Sequence, residues 1–348
     1  WRWQWQRLMG GLGPADAAGN YKRPPSDPLT GIAPDPTELA QRTAEMRPHL
    51  VIGRSCPWAH RTWLVHQLRN LDPTVTLLIA TADHQSGRWA LNPPWQNCDN
   101  LLDLYRLCNA PPSYRATVPA LGGPPQRGII GNDSAPLVEL LNRWPAPPAA
   151  WDLAPAALSA EIETWLTLLQ PLVNDGVYRC GFARNQTAYD RAEAALFEAL
   201  ATVEQRLQNR GPWLCGEQLT LADVRLFPTL IRWELVYAPL FGCSRYPLWH
   251  YPHLWDWRRR FYGLPGVAAT CDGVAWRHDY FGALFPLNAG GIVPAGPELS
   301  TLVTSSAPTP CPAPTHVLRA STAATPSPPP IGRRFGAIGS LCWWLGWR

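Results

Sequence analysis

One change of period divides this chain. Between His49 and Arg143 short apolar segments alternate with candidate helices. From Ala156 to about Ala283 apolar residues recur every three or four positions, with no convincing strand alternation. Pro145, Pro147 and Pro148 stand at the junction, where rings without an N–H end whatever structure precedes them. The first part offers a strand at Leu50-Val51-Ile52, a helix over 61–69 and a second strand over 75–80. A long tryptophan-containing loop follows, then a short helix over 101–107, strands at 118–121 and 128–130, and a helix from Ser134 to Arg143. That order is the one expected of a small α/β sandwich.

The second part reads as wholly helical. Ile162, Trp165, Leu166, Leu169 and Val173 follow the i, i+3, i+4, i+7 spacing, and Ala192, Ala195, Leu196, Ala199, Leu200, Val203 and Leu207 repeat it. Thr220-Leu221-Ala222-Asp223 has the form of a capping box opening the apolar helix Val224 to Trp233, a role in stability. Four segments are expected: an irregular lead-in over 1–48, an α/β domain over 49–145, an all-helical domain over 151–299 and a disordered tail over 300–348. The tail follows from composition. Eight of the 39 prolines lie between Pro308 and Pro330 among Ser, Thr and Ala, which bury too little apolar surface to offset ordering. The chain opens on Trp1 and Met9 precedes a Gly-rich stretch, so residues 1–8 are expected to lie outside the natural product.

A formal charge of +4, with Lys and Arg scattered, argues against a nucleic-acid surface. No apolar run approaches the ~20 residues of a membrane helix, and residues 1–13 lack the apolar core of a secretory signal, so a soluble protein is expected. The nine cysteines contain no CxxC pair and no regular spacing. Neither a zinc site nor a disulfide framework is indicated, no metal is expected, and free thiols in a reducing cytoplasm are the simpler reading.

Cys56 follows a strand candidate and opens a helix candidate, with Pro57 suited to the first helical position. Helix N–H groups and the neighbouring His60 and Arg61 are expected to favour its thiolate, the nucleophilic form. The residue three beyond is Ala59, so no local second thiol resolves a disulfide, and a one-cysteine cycle with an external thiol is favoured over dithiol exchange. A buried, inert cysteine is the alternative. Thr117-Val118-Pro119 is compatible with a cis peptide that leaves backbone groups open to an extended peptide ligand, or with an ordinary edge proline. Asn132-Asp133-Ser134 suits either plain helix capping or the head of an α-amino acid, whose carboxylate a helix N-terminus binds.

Cys-Pro-Trp-Ala-His-Arg from Cys56, Trp89 after Gly87, Thr-Val-Pro at Thr117 and the acid-Ser pair Asp133-Ser134 together resemble the Xi-class glutathione transferases, the glutathionyl-hydroquinone reductases. So do Asn174-Asp175-Gly176-Val177-Tyr178, Gly181-Phe182-Ala183, the block from Leu219 to Arg232, and Gly291-Ile292-Val293-Pro294. The resemblance spans about residues 50 to 300. It implies a thioredoxin-like domain that binds glutathione as co-substrate, then a helical domain that receives the aromatic part of a glutathione conjugate, in a homodimer. By the same resemblance Cys56 attacks the glutathionyl sulfur of an S-glutathionyl hydroquinone, and a second glutathione frees it. Val118 and Pro119 hold the glutathione cysteine, Asp133 and Ser134 its γ-glutamyl end, and Trp89 lines that site. Tyr178 and Tyr280 match the tyrosines that stabilise or protonate the leaving ring; from the residues alone, buried structural tyrosines are the alternative. Asp133 stands where Glu is usual, and Phe281 where a second Tyr is typical. An Omega-like thioltransferase or dehydroascorbate reductase shares the single-cysteine logic, and a non-catalytic glutathione-binding protein is the further alternative, against which Cys56, Pro57 and Val118-Pro119 argue.

Overall fold

The computed structural model describes residues 2–24, 35–113, 115–123 and 128–304. Helices α1 (Arg2–Leu12) and α2 (Pro36–Ala40) precede strand β1 (His49–Gly53) and helix α3 (Pro57–Leu68). Then come β2 (Thr76–Asp83), β3 (Arg88–Trp95), β4 (Cys98–Asn100), α4 (Leu101–Leu107), β5 (Ala120–Gly123), β6 (Gly128–Gly131) and α5 (Ser134–Asn142). The strands form one sheet in the order β4-β3-β2-β1-β5-β6. Strands β1 and β2 are parallel, so their connection must cross over, and α3 is that crossover. The other pairings are antiparallel.

Two strands replace the loop expected after residue 80. Trp89, Ala90 and Leu91 of β3 pair with Ala82, Thr81 and Ala80 of β2, and β3 then turns back into β4. The prolines at 93 and 94 obscured this strand in the sequence, because Pro donates no ladder hydrogen bond. They fall beyond the stretch paired with β2, where the β3–β4 register also shifts.

The helical half comprises α6 (Ser159–Leu169), α7 (Gly176–Gly181), α8 (Gln186–Arg210), α9 (Leu221–Leu230), α10 (Ala238–Phe241), α11 (Pro252–Tyr262), α12 (Gly273–Ala283) and α13 (Leu299–Thr304). A wide π turn over Gln170–Asn174 leads from α6 toward α7, and another over Trp233–Tyr237 leads into α10. Asp223 completes the capping box of α9: one oxygen accepts from Leu214 N–H (3.0 Å) and Trp257 Nε1–H (2.8 Å), the other from Thr220 N–H (3.0 Å). Helix α3 packs on β1 and α5 on one side and on α9 on the other, which explains why ten of its twelve residues are buried. Its polar members are therefore bonded inside the protein: Thr62 Oγ1 to Ala59 O (2.8 Å) and His66 Nε2 to Val75 O (2.8 Å).

Both ends depart from expectation. The lead-in is not irregular throughout: α1 buries Met9 and Leu12, Trp5 lies against the core, and Gln6 Nε2 donates to Arg184 O (2.9 Å). Arg184 donates to the carbonyls of Met9 and Gly13, so long-range contacts hold a helix whose own sequence, with Gly10 and Gly11, signals it weakly. At the other end, the disorder expected from residue 300 does not begin there. Helix α13 buries Leu302 and Val303, and the carbonyl of Leu302 accepts from Arg258, those of Val303 and Thr304 from Arg259. The rest of that expectation, 305–348, lies outside the described residues.

Candidate active site

The chain leaves β1 at Gly53 and enters α3 with Cys56 as N-cap and Pro57 at the first helical position. Gly53 has to be a glycine. A Cβ there would come within 2.6 Å of the Trp89 indole and 2.7 Å of the Val118 side chain. Trp89 and Val118 thus close over the end of β1, immediately before Cys56. The Val118–Pro119 peptide is cis, and Cys56 Sγ lies 3.7 Å from Val118 O. Among the described residues the Val118 N–H has no hydrogen-bond partner.

Burial pushes the Cys56 thiol up from its ordinary range, against the sequence expectation. The N–H groups of Ala59 and Trp58, then the charges of Arg232 and Arg23, pull in the other direction. The helix terminus therefore acts as expected, but the cations are not those next door. His60 is buried and held well below the ordinary histidine range by burial and by Arg232, so it is neutral. Arg232 Nη1 donates to His60 Nδ1 (2.9 Å), which leaves Nε2–H to bond Thr270 Oγ1 (2.8 Å). Arg61 turns to Gln170 Oε1 (3.1 Å) and lies over the Trp58 ring. Arg232 instead bonds the Ser55 carbonyl (3.4 Å), and Arg23 stacks on Trp58 with its Cζ 3.7 Å from the ring centre while pairing with Asp175 (3.4 Å).

Three tyrosines from three helical segments meet beside this cysteine. Tyr178 of α7 and Tyr280 of α12 share a hydrogen bond of 2.8 Å, and Tyr237 bonds Tyr280 at 3.3 Å. Trp58, two residues from Cys56, stacks on Tyr178 with centroids 5.9 Å apart. All three hydroxyls are buried, and burial raises each above the ordinary tyrosine range, so they remain protonated donors at neutral pH. Phe281 is buried beside Tyr280 and brings no fourth hydroxyl.

The structure thus brings together Cys56, Val118, Pro119 and Trp89, and, through Trp58, Tyr178 and Tyr280. Asp133 and Ser134 stand at the N-terminus of α5, the helix that packs against α3. Asp133 caps α5 by accepting from Ala135 N–H (2.9 Å), the plainer of the two roles open to it. Sequence reasoning missed Tyr237, Arg232's role and Arg23. Tyr237 had one signal, a hydroxyl among the apolar neighbours Trp233, Leu235 and Val236; Arg23, in an unpatterned stretch, had none.

Residues 186–260 match the family described as glutathione S-transferase, C-terminal domain. Over 277 residues the chain is 37% identical to the glutathionyl-hydroquinone reductase YqjG of Escherichia coli K12, covering 76% of this chain and 84% of that protein. The chain belongs to the Xi-class glutathione transferases. It is also 32% identical to the glutathionyl-hydroquinone reductase PcpF of Sphingobium chlorophenolicum, with 72% and 83% covered. Among solved structures, the glutathione-bound form of YqjG superposes with a TM-score of 0.66 at 35% identity, covering 73% of this chain and 86% of that one. The Xi transferase of Phanerochaete chrysosporium gives 0.72 at 30% identity, with 81% and 94% covered. A sheet-plus-helix domain of thioredoxin type followed by a helical domain is the architecture of this Xi-class chain.

Proposed function

We propose that this chain reduces S-glutathionyl hydroquinones to hydroquinones at the expense of glutathione, with Cys56 as nucleophile. The observation that carries the reading is the convergence of one buried thiol at a helix N-terminus with three protonated tyrosine hydroxyls, linked by the Trp58–Tyr178 stack.

The Cys56 thiolate attacks the glutathionyl sulfur of the conjugate. An S–S bond forms, the carbon–sulfur bond breaks, and its electron pair passes to the ring carbon, which takes up a proton. Tyr178, Tyr237 and Tyr280 serve as hydroxyl donors to the charge that develops on the ring and its oxygens. A second glutathione thiolate then attacks the glutathionyl sulfur of the mixed disulfide, oxidised glutathione leaves and the Cys56 thiolate returns. The open Val118 N–H and the Val118 O beside Cys56 suit the backbone of the glutathione cysteine, with Pro119 fixing the turn and Trp89 as wall. Asp133 and Ser134 at the start of α5 are read as the place for the γ-glutamyl group.

The seven described cysteines are all free thiols, which supports a reducing, cytoplasmic setting. Among the described residues no helix is long and apolar enough to cross a membrane. A homodimer is carried over from the family resemblance.

The test is steady-state consumption of a glutathionyl hydroquinone with glutathione, beside dehydroascorbate and a glutathione mixed disulfide at equal concentration. The conjugate is expected to be the best substrate, with its turnover abolished in Cys56→Ser. Retained turnover in that variant would overturn the reading, and preference for dehydroascorbate would move it to Omega-like chemistry.

A further inference from the structure

Away from the thiol, the two domains share a cluster of metal-ligating side chains. His84 lies just beyond the end of β2, while His278 and Asp279 lie on α12. His84 Nε2 is 3.1 Å from Asp279 Oδ1, and His278 Nδ1 is 3.5 Å from the same oxygen. All three donor atoms fall within 4.8 Å of one another, and the two imidazoles stack with centroids 4.9 Å apart.

Those separations can be set against the geometry of a bound ion. With zinc–nitrogen and zinc–oxygen bonds of about 2.0–2.1 Å, neighbouring ligands of a tetrahedral site stand roughly 3.3 Å apart. The two measured donor pairs bracket that edge, and only the two imidazole nitrogens have to approach. His278 is free to do so, its side chain being 67% exposed. His84 is the seated partner: a Cβ on Gly282 of α12 would lie 2.7 Å from its Cε1 and 2.8 Å from its Nδ1, so the absence of a side chain there makes room for its ring. Two imidazoles and one carboxylate leave a fourth position for water, and this mixed nitrogen–oxygen set suits the late first-row divalent ions rather than magnesium or calcium.

We propose that His84, His278 and Asp279 bind one late first-row divalent cation, zinc being the type ion, and that its occupancy pins the segment after β2 to α12.

The test is titration of the full-length protein with cobalt(II), read by visible absorption, followed by displacement with zinc. One equivalent is expected to give the bands of a low-coordinate cobalt site without the near-ultraviolet thiolate band that cysteine ligation produces. His278→Ala, at an exposed position that spares the fold, and His84→Ala are each expected to weaken binding by ~10-fold or more. Zinc is expected to raise the melting temperature of the unaltered protein by several degrees and to leave that of His278→Ala unmoved. No cobalt band, a band dominated by thiolate absorption, or affinity unchanged in His278→Ala would each overturn the assignment.

Discussion

His60 shows how one buried side chain writes a pH dependence into the whole protein. Burial and the adjacent Arg232 hold its imidazole well below the ordinary histidine range, so the folded protein refuses a proton that the unfolded chain binds below about pH 6.5. A depressed folded value of this kind gives stability that is complete above that pH and is lost on acidification. The slope is about 1.4 kcal/mol per pH unit once only the unfolded state carries the proton. Urea unfolding between pH 7 and 4.5 is expected to show a shallower fall in His60→Asn than in the unaltered protein; equal slopes would count against a neutral His60. Arg23 makes the complementary case at the thiol. Its charge draws the Cys56 value down against burial, so Arg23→Ala is expected to shift the pH profile of Cys56 alkylation upward and slow the reaction at neutral pH. At the tyrosines, Tyr280→Phe removes the hydroxyl that bonds both Tyr178 and Tyr237. We expect roughly a 10²- to 10⁴-fold loss in kcat on a glutathionyl hydroquinone, the usual range for a lost proton donor, with much less effect on a disulfide substrate. Cys56 could be singled out from its own place between a strand and a helix, whereas the roles of Val118, Trp89, Tyr178 and Tyr280 came only through the family resemblance. Arg23, Arg232 and Tyr237 reach the site only through packing, which no local spacing encodes.

Elements fared differently according to how much of their pattern is local. The helices of the second half were legible because each buries one apolar stripe at helical spacing, and the capping box of α9 could be read directly from Thr220 and Asp223. Asp223→Ala strands the N–H groups of Leu214 and Thr220 and the Trp257 indole N–H, all inside the protein, and is expected to cost about 3 kcal/mol or more in denaturant unfolding. Strand β3 was missed because its prolines spoil the strand pattern, although the sheet needs its first half. That half carries Trp89, whose seat over Gly53 yields a sharp expectation. Gly53→Ala forces the indole and Val118 apart, which should cost about 1–3 kcal/mol and weaken glutathione binding together. A variant of unchanged stability and affinity would contradict that close approach. The cluster of His84, His278 and Asp279 was invisible for a different reason. Its ligands come from residues almost two hundred positions apart, so neither cysteine counting nor motif spacing points to them.

At the scale of the molecule, the two ends of the described chain fasten onto the helical half. Leu302 and Val303 of α13 are buried, and Arg258, fully buried and paired with Glu234 at 2.6 Å, donates to Leu302 O. Ending the chain at Glu298 removes that acceptor and uncovers the apolar surface that Leu302 and Val303 fill, so a melting temperature lower by several degrees is expected on calorimetry. The central claim is that the sheet domain's thiol and the helical domain's hydroxyls form one reaction centre. It is tested most directly by mixing the protein with one equivalent of a glutathionyl hydroquinone, without free glutathione, and measuring intact mass and released hydroquinone together. The expected result is one glutathione bound as a disulfide, mapped by peptide analysis to Cys56, with an equal amount of hydroquinone freed. Hydroquinone released without an adduct, or an adduct on another of the nine cysteines, would contradict it.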